Sequence, residues 1–425
     1  VIRLAALVLL LDNSGPSAAE SPIVAFATVS TPGIDGRARA GVLDARTGRV
    51  LWSADFAGGV NDARTSVHGN LLAVLLNSRK EGYACHVFEL ATGRLRFRTE
   101  GAACVELPSR GLRFLGFPAR DRMRVLDPAT GLEAWSAPVT RHSLLTLTAG
   151  LLVAEGPRHV AAYALDDGRP AWEREKSDSD RLRVSGGRIW NLKPGEPRLV
   201  ELDPSTGRDR TALDLPGPLV ALAPHPEFVD LVLEREVRRV RGRDLGLEWA
   251  APLPEPAVRA LGDGRSIVVS AGPDGDRTIL LDGSTGRVLS NQPVSRFARC
   301  EQSLRHPGYV VQSVGVLERA SMLHVFDRRD GRLAWWGAVE EFEENAGRDA
   351  LLVRQEGRLL LVDLTTRTER WSRPLDGAWK DTARRGDLLI VGTAASIAGL
   401  QASTGQQVWK LDAGPSAEVH FSGKR

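Results

Sequence analysis

The chain has 425 residues, 42% of them hydrophobic, and sets 56 basic side chains against 53 acidic ones. A net charge of +3 leaves no electrostatic footprint for nucleic acid, while the apolar content is ample for a large core. The length alone would accommodate two or three ordinary domains.

Taken in chain order, the first segment stands apart. Arg3 precedes an apolar run from Leu4 to Leu11, and Ser17-Ala18-Ala19 supplies small residues suited to cleavage. Residues 1–20 therefore read as a secretory signal or a disordered N-terminus, and an exported protein, periplasmic or extracellular, is expected. The run is too short to cross a bilayer as a helix, which takes about 20 residues. Ile23 to Val29 then reads as a strand.

From here one phrase recurs: an apolar run, an acidic residue, a short turn ending in Gly, and a Trp four residues on. Val42-Leu43-Asp44-Ala45-Arg46-Thr47-Gly48-Arg49-Val50-Leu51-Trp52 is the first copy, and residues 125–135 repeat it from Val125 through Asp127 and Gly131 to Trp135. The turn position reads Gly48, Gly93, Gly131, Gly168, Gly207, Gly246, Gly286, Gly331, Arg367 and Gly405, ten copies at intervals of 36 to 45 residues. The acidic position reads Asp44, Glu89, Asp127, Asp203, Asp282, Asp327 and Asp363, with Asp166 in a shortened copy. The aromatic position is Trp52, Phe97, Trp135, Trp172, Trp249, Trp335, Trp371 and Trp409, replaced by Thr211 and Ser290 in two copies.

The phrase has the chemistry of a β-hairpin. Asp and Thr can accept bonds from the turn's own amides, and Gly reaches the positive φ that other residues adopt only at a cost. Arg367 departs from this, at a cost of about 1 kcal/mol if φ stays positive there. The Trp supplies a large apolar body with one polar handle, suited to a seam between neighbouring units. A second apolar run precedes each phrase, as in Leu151-Leu152-Val153-Ala154 and Leu388-Leu389-Ile390-Val391, with a short strand before it. Four strands per roughly 40 residues without helical periodicity predict an all-β fold, a single β-propeller ring of four-stranded antiparallel blades. Eight to ten blades are expected. Ala417 to Phe421 reads as a strand with no blade behind it, so pairing with Ile23 to Val29 would close the propeller over residues 21–425 and remove two open sheet edges.

The phrase resembles the tryptophan-docking repeat of the pyrroloquinoline-quinone (PQQ)-like propellers, from about Ser21 to the end. The resemblance implies that the Trp of each blade wedges against the next. It is unspecific for function, because the family spans dehydrogenases, assembly scaffolds and sensor domains. In repeat and length the chain is similar to the scaffold lipoprotein of outer-membrane β-barrel assembly, although no Cys follows the apolar leader to carry a lipid anchor. The expectation is a non-enzymatic, monomeric scaffold that docks a protein partner, with a ligand-sensing propeller as the alternative and a quinone-dependent dehydrogenase as the remote one. Dehydrogenases of this family carry adjacent cysteines, whereas Cys85, Cys104 and Cys300 are far apart here. Neither PQQ nor Ca²⁺ is expected, and no catalytic, cofactor-binding or metal-binding residue is assigned. Cys85 and Cys104 can either bridge or serve as small buried hydrophobes.

Three stretches break the pattern. Glu340-Glu341-Phe342-Glu343-Glu344 falls where a first strand is expected and is either a channel-facing acidic segment or a solvated loop. Asn61 to His68 with Ser78 to Tyr83, and Arg296 to Pro307, read as insertions, either of the kind that carry partner specificity or simple drift in loop length. Arg235 to Arg243, rich in arginine, reads as a positive edge or a solvated face. Together with Thr211, Ser290 and Arg367, these are the candidate sites of function.

Overall fold

The computed structural model describes residues 23–421 apart from short stretches, the longest being 104–113 and 294–299. The leader expected over residues 1–20 lies outside the described residues. The described chain folds into ten four-stranded antiparallel sheets, which are β-propeller blades. In chain order, blade 1 spans 23–56 and takes its innermost strand from 416–421. Blades 2 to 10 then span 60–100, 102–138, 144–175, 181–214, 219–252, 257–293, 300–339, 341–374 and 379–412.

Two compact units result: Val1–Thr140 with Leu375–Arg425, holding blades 1, 2, 3 and 10, and Arg141–Pro374, holding blades 4 to 9. In the first unit, Ile23–Ser30 pairs with Arg37–Asp44 on one side and Ser416–Phe421 on the other, with Phe26 opposite Val419. The two ends of the described chain thus share one sheet.

The strand sequences explain their places. Most second and third strands are covered on both faces and run apolar without alternation: Ser266–Ala271 is buried at every position. Fourth strands have one open edge and alternate instead, as Val50–Phe56 does. Small residues let blade faces approach closely. Ala25, Ala27, Ala38 and Ala40 of blade 1 pack with Val60, Leu72, Val74 and Phe88 of blade 2. Val24 and Phe26 pack with Ile390, Ile397 and Trp409 of blade 10.

The repeated turn works as its residues predict. Asp44 Oδ1 accepts the amides of Arg46 and Thr47, both at 2.9 Å. Gly48 donates its amide to the Asp44 carbonyl at 2.8 Å with φ at 70°. The strand register shifts by one residue just before the turn, between Val42 and Leu43, which marks a bulge. Asp203, Asp282 and Asp363 cap their turns in the same way.

Two positions differ from the sequence reading. In blade 6 the left-handed residue is Leu245, at φ 56°, and not Gly246. Leu245 donates its amide to the Arg241 carbonyl and Gly246 returns its carbonyl to Arg241, matching Gly48, Arg49 and Asp44. The acidic position is therefore Arg241, and a carboxylate is recovered from Asp244, which pairs with Arg241 at 3.0 Å and caps Gly246. In blade 4 the same ladder places Ala164, not Asp166, at the acidic position. Arg367 does hold positive φ, at 63°.

Candidate functional site

The Trp residues of the repeated phrase are seam elements. Trp52 donates its indole N–H to the Leu90 carbonyl of blade 2 at 2.8 Å. Its ring occupies the space a Cβ on Gly93 would need, 2.5 Å away. Trp409 repeats this on Ala45 and Gly48 of blade 1, and Trp172 on Pro204 and Gly207 of blade 5. The turn glycine is therefore required twice, once for its φ and once for the neighbour's ring.

Where the Trp is missing, a buried ion pair stands in its place. Thr211 faces Glu201 across the strands of blade 5, at the register Val42 and Trp52 occupy in blade 1. Glu201 is 2% exposed and takes a two-pronged contact from Arg188, whose Nε lies 2.8 Å from Oε1. The Arg188 guanidinium sits 4.5 Å from the Trp190 ring centroid. Its tip lies 2.6 Å from where a Cβ on Gly242 of blade 6 would be. Arg188 thus reaches the next blade's turn as the indoles do elsewhere. At Ser290 the replacement is apolar: Leu289 packs against the next blade's turn at Gly331.

The arginine-rich stretch 235–243 is mixed: Arg235 and Arg243 are exposed, while the arginines between them are paired. Arg239 is buried, pairing with Asp230 at 2.6 and 2.9 Å and lying 3.6 Å over the Phe228 ring. It also donates to the Gly264 carbonyl of blade 7. Burial pushes the Asp230 carboxyl above its ordinary range, and the Arg239 pair only partly opposes this. Arg238 pairs with Glu236 at 2.9 Å and Arg241 with Asp244, so these two charges are met locally.

The polar ties continue through blades 7 to 9. Arg328 bridges Asp263 of blade 7 and donates to the Leu304 and Tyr309 carbonyls. His306 is wholly buried against Tyr309. Its amide bonds Glu344 of blade 9 at 3.0 Å, and its Nε2 lies 3.0 Å from the Gly347 carbonyl. Burial lowers the His306 pKa, with Arg328 adding to the effect and the bonds to Gly347 and Ala350 opposing it.

The acidic segment is thereby placed. Glu341–Glu343 is the first strand of blade 9, Glu340 and Glu341 pair with Arg354 at 3.1 and 3.3 Å, and Glu344 caps His306. The supposed insertions are mostly blade. Val60–His68 is a nine-residue first strand and Gly82–Glu89 a third strand, so the wide spacing there reflects long strands. Cys300–Ser303 is the first strand of blade 8. Residues 79–81 and 294–299 lie outside the described residues, as does Cys104. Cys85 is buried and disulfide-bonded. Among the described residues no three His, Cys, Asp or Glu side chains converge as a metal site, and no helix is long and apolar enough to cross a membrane.

A ten-bladed array with tryptophan-docked seams defines the chain as a PQQ-like repeat β-propeller. It belongs to the sequence family described as outer membrane protein assembly factor BamB, which matches residues 36–220, 120–306 and 306–424. No protein with a curated description matches it in sequence. Among solved structures, a eukaryotic initiation factor is similar over 84% of this chain and 96% of its own, at 14% identity and TM-score 0.55. BamB from Moraxella catarrhalis aligns over 75% of this chain and 95% of its own, at 10% identity and TM-score 0.41. Apo AztD from Citrobacter koseri aligns over 95% and 100%, at 12% identity and TM-score 0.41. At such identities the likeness concerns fold alone.

Proposed function

We propose that this chain is a non-enzymatic scaffold of the cell envelope, exported and docking a protein partner in outer-membrane protein assembly. The observation that carries the reading is the family match, which runs from residue 36 to residue 424 and is described by that assembly role. The disulfide at Cys85 fits an oxidising compartment. Most of the charged departures from the blade template, among them Glu201, Arg239, Glu340 and Glu341, are engaged in internal ion pairs, which favours blade edges and connections as the surfaces that dock. Rigid blades suit docking because little freedom is lost on binding.

The test is affinity capture of the tagged full chain from envelope extract, at low salt and at about 0.15 M salt. Recovery of the same envelope proteins at both supports the reading, and recovery of the bait alone overturns it. The non-enzymatic part is tested separately with PQQ and Ca²⁺ added to the full chain. No dye-linked oxidation of alcohols or sugars above background is expected, and sustained turnover would remove that part of the proposal.

A further inference from the structure

His306 lies in the connection between the first two strands of blade 8, and its contacts reach the matching connection of blade 9. Its amide donates to Glu344 Oε2 at 3.0 Å, and Glu344 is itself buried in the one-turn helix Glu344–Ala346 that follows the first strand of blade 9. Both ring nitrogens are also engaged. Nε2 lies 3.0 Å from the Gly347 carbonyl, and Nδ1 accepts the Gly308 amide at 3.2 Å. A carbonyl only accepts and an amide N–H only donates, so these two contacts fix one neutral tautomer, with the proton on Nε2.

That tautomer leaves no place for a second proton. A proton on Nδ1 would point at the N–H of Gly308, and neither group could accept from the other. The charged and titratable groups facing His306 among the described residues are Arg328 from the turn of blade 8, Tyr309 against the ring, and Glu344 and Asp349 from blade 9. Arg328 opposes a positive ring and is itself fixed by Asp263 of blade 7 and by the Tyr309 carbonyl at 3.1 Å. Asp349 and the carbonyls of Gly347 and Ala350 favour a positive ring. Asp349 is exposed, however, and the Gly347 carbonyl is already met by the Nε2–H of the neutral ring. These contacts lie in the connections and not in the strand ladder, where Glu341–Glu343 pairs with Leu352, Val353 and Arg354.

We propose that His306 is a pH-operated latch, whose protonation at Nδ1 releases the Glu344–Gly347 connection of blade 9 from blade 8 while the strands of both blades stay paired. Such local opening leaves the fold intact. The freed ring takes up a proton at the ordinary histidine value of about 6.5, whereas the latched ring resists it, so below that value the opening constant rises up to about tenfold per pH unit. The latch does not depend on the scaffold reading.

Amide hydrogen exchange of the full chain, read by mass spectrometry and corrected for intrinsic rates, tests it. Between about pH 7.5 and about pH 5.5, opening of peptides spanning His306 and Glu344–Ala346 should increase about tenfold. The hairpin Arg181–Leu192 of blade 5, which contains no histidine, should not change. His306→Gln keeps a donor and an acceptor without titrating, and should abolish the increase. Glu344→Gln still accepts the His306 amide, and should retain it. Exchange of the His306 C2 hydrogen in the wild type follows the ring's own protonation without any substitution, and its midpoint should coincide with the loss of amide protection. Opening that is equal at both pH values overturns the proposal, as does an equal rise in the blade 5 hairpin. So does a rise that survives His306→Gln, one that disappears in Glu344→Gln, or a His306 midpoint that does not track the opening.

Discussion

At Glu201 the protein holds a charge where its other blades, apart from blade 6 with Arg239, hold Val, Ala, Leu or Gly at the docking register. Two buried charges stabilise a fold only through one another, since desolvation costs each of them several kcal/mol. Removing one partner therefore differs in kind from removing both. Glu201→Ala should destabilise by about 3–5 kcal/mol, because Arg188 is then stranded against Trp190 and the blade 6 turn. The double variant Arg188→Met, Glu201→Leu should recover most of that loss, as replacement of a buried pair by apolar side chains often does. Urea midpoints of the single and double variants decide the matter. If the double variant is no more stable than the single, the pair has a role beyond filling the seam. The sequence did carry a signal for it: Glu201 and Asp230 each interrupt an otherwise apolar second- or third-strand run. Which arginine answers each of them depends on strand pairing, and that is not readable from spacing.

At the scale of the strand and turn, most of the blade was legible because its chemistry is local. Asp44 capping its own turn, Gly48 at positive φ and Trp52 at the following strand all lie within nine residues, and each behaves as its side chain predicts. Blade 6 shows where this reasoning slips. A glycine stands one place beyond the turn position, and a composition-led alignment chooses it, while Leu245 accepts the left-handed conformation. The stretch from Asn61 to His68 reads as an insertion for a related reason, since added residues extend strands as easily as loops. The seam role of the glycine also lay beyond local reading, because the ring that fills its Cβ space comes from another blade. A paired prediction separates the two demands on this position. Gly93→Ala meets both the φ of 70° and the Trp52 ring at 2.5 Å, and should cost about 2–4 kcal/mol. Arg367→Gly relieves only backbone strain and should stabilise by about 1 kcal/mol. Thermal midpoints moving in opposite directions confirm the assignment. A neutral Gly93→Ala would mean that the seam relaxes freely around the added methyl.

For the molecule as a whole, these local environments sum into a pH dependence with a definite sign. His306 and His324 have pKa values lowered by burial, so the folded state resists a proton that the unfolded chain accepts below about 6.5. Their contribution is complete above that value and is lost as pH falls toward their folded pKa values, at up to about 1.4 kcal/mol per pH unit for each histidine. Around His306, Arg328 reinforces the shift and Asp349 opposes it. A second loss lies further into acid. Burial alone would raise Asp376, but bonds from Ser396, Lys410 and Thr393 outweigh it and hold the carboxyl at about 2. The turn carboxylates of Asp203, Asp282 and Asp363 are likewise held low by their hydroxyl and amide donors and by Arg370. Their stabilisation is present above their ordinary value of 3.8 and disappears as pH falls below it. Asp230, shifted upward, opposes this trend without matching the number of groups that set it. Stability should therefore fall in two stages, a shallow one starting below about pH 6.5 and a steep one below about pH 4. Urea denaturation between pH 8 and pH 3 would resolve both stages. His306→Gln should make the first stage shallower, leaving the His324 part, and keep the second in place. A wild-type curve that is level from pH 7 to pH 5 would show that the buried histidines are protonated in the fold with no penalty, contrary to the burial of His306 beneath blade 9.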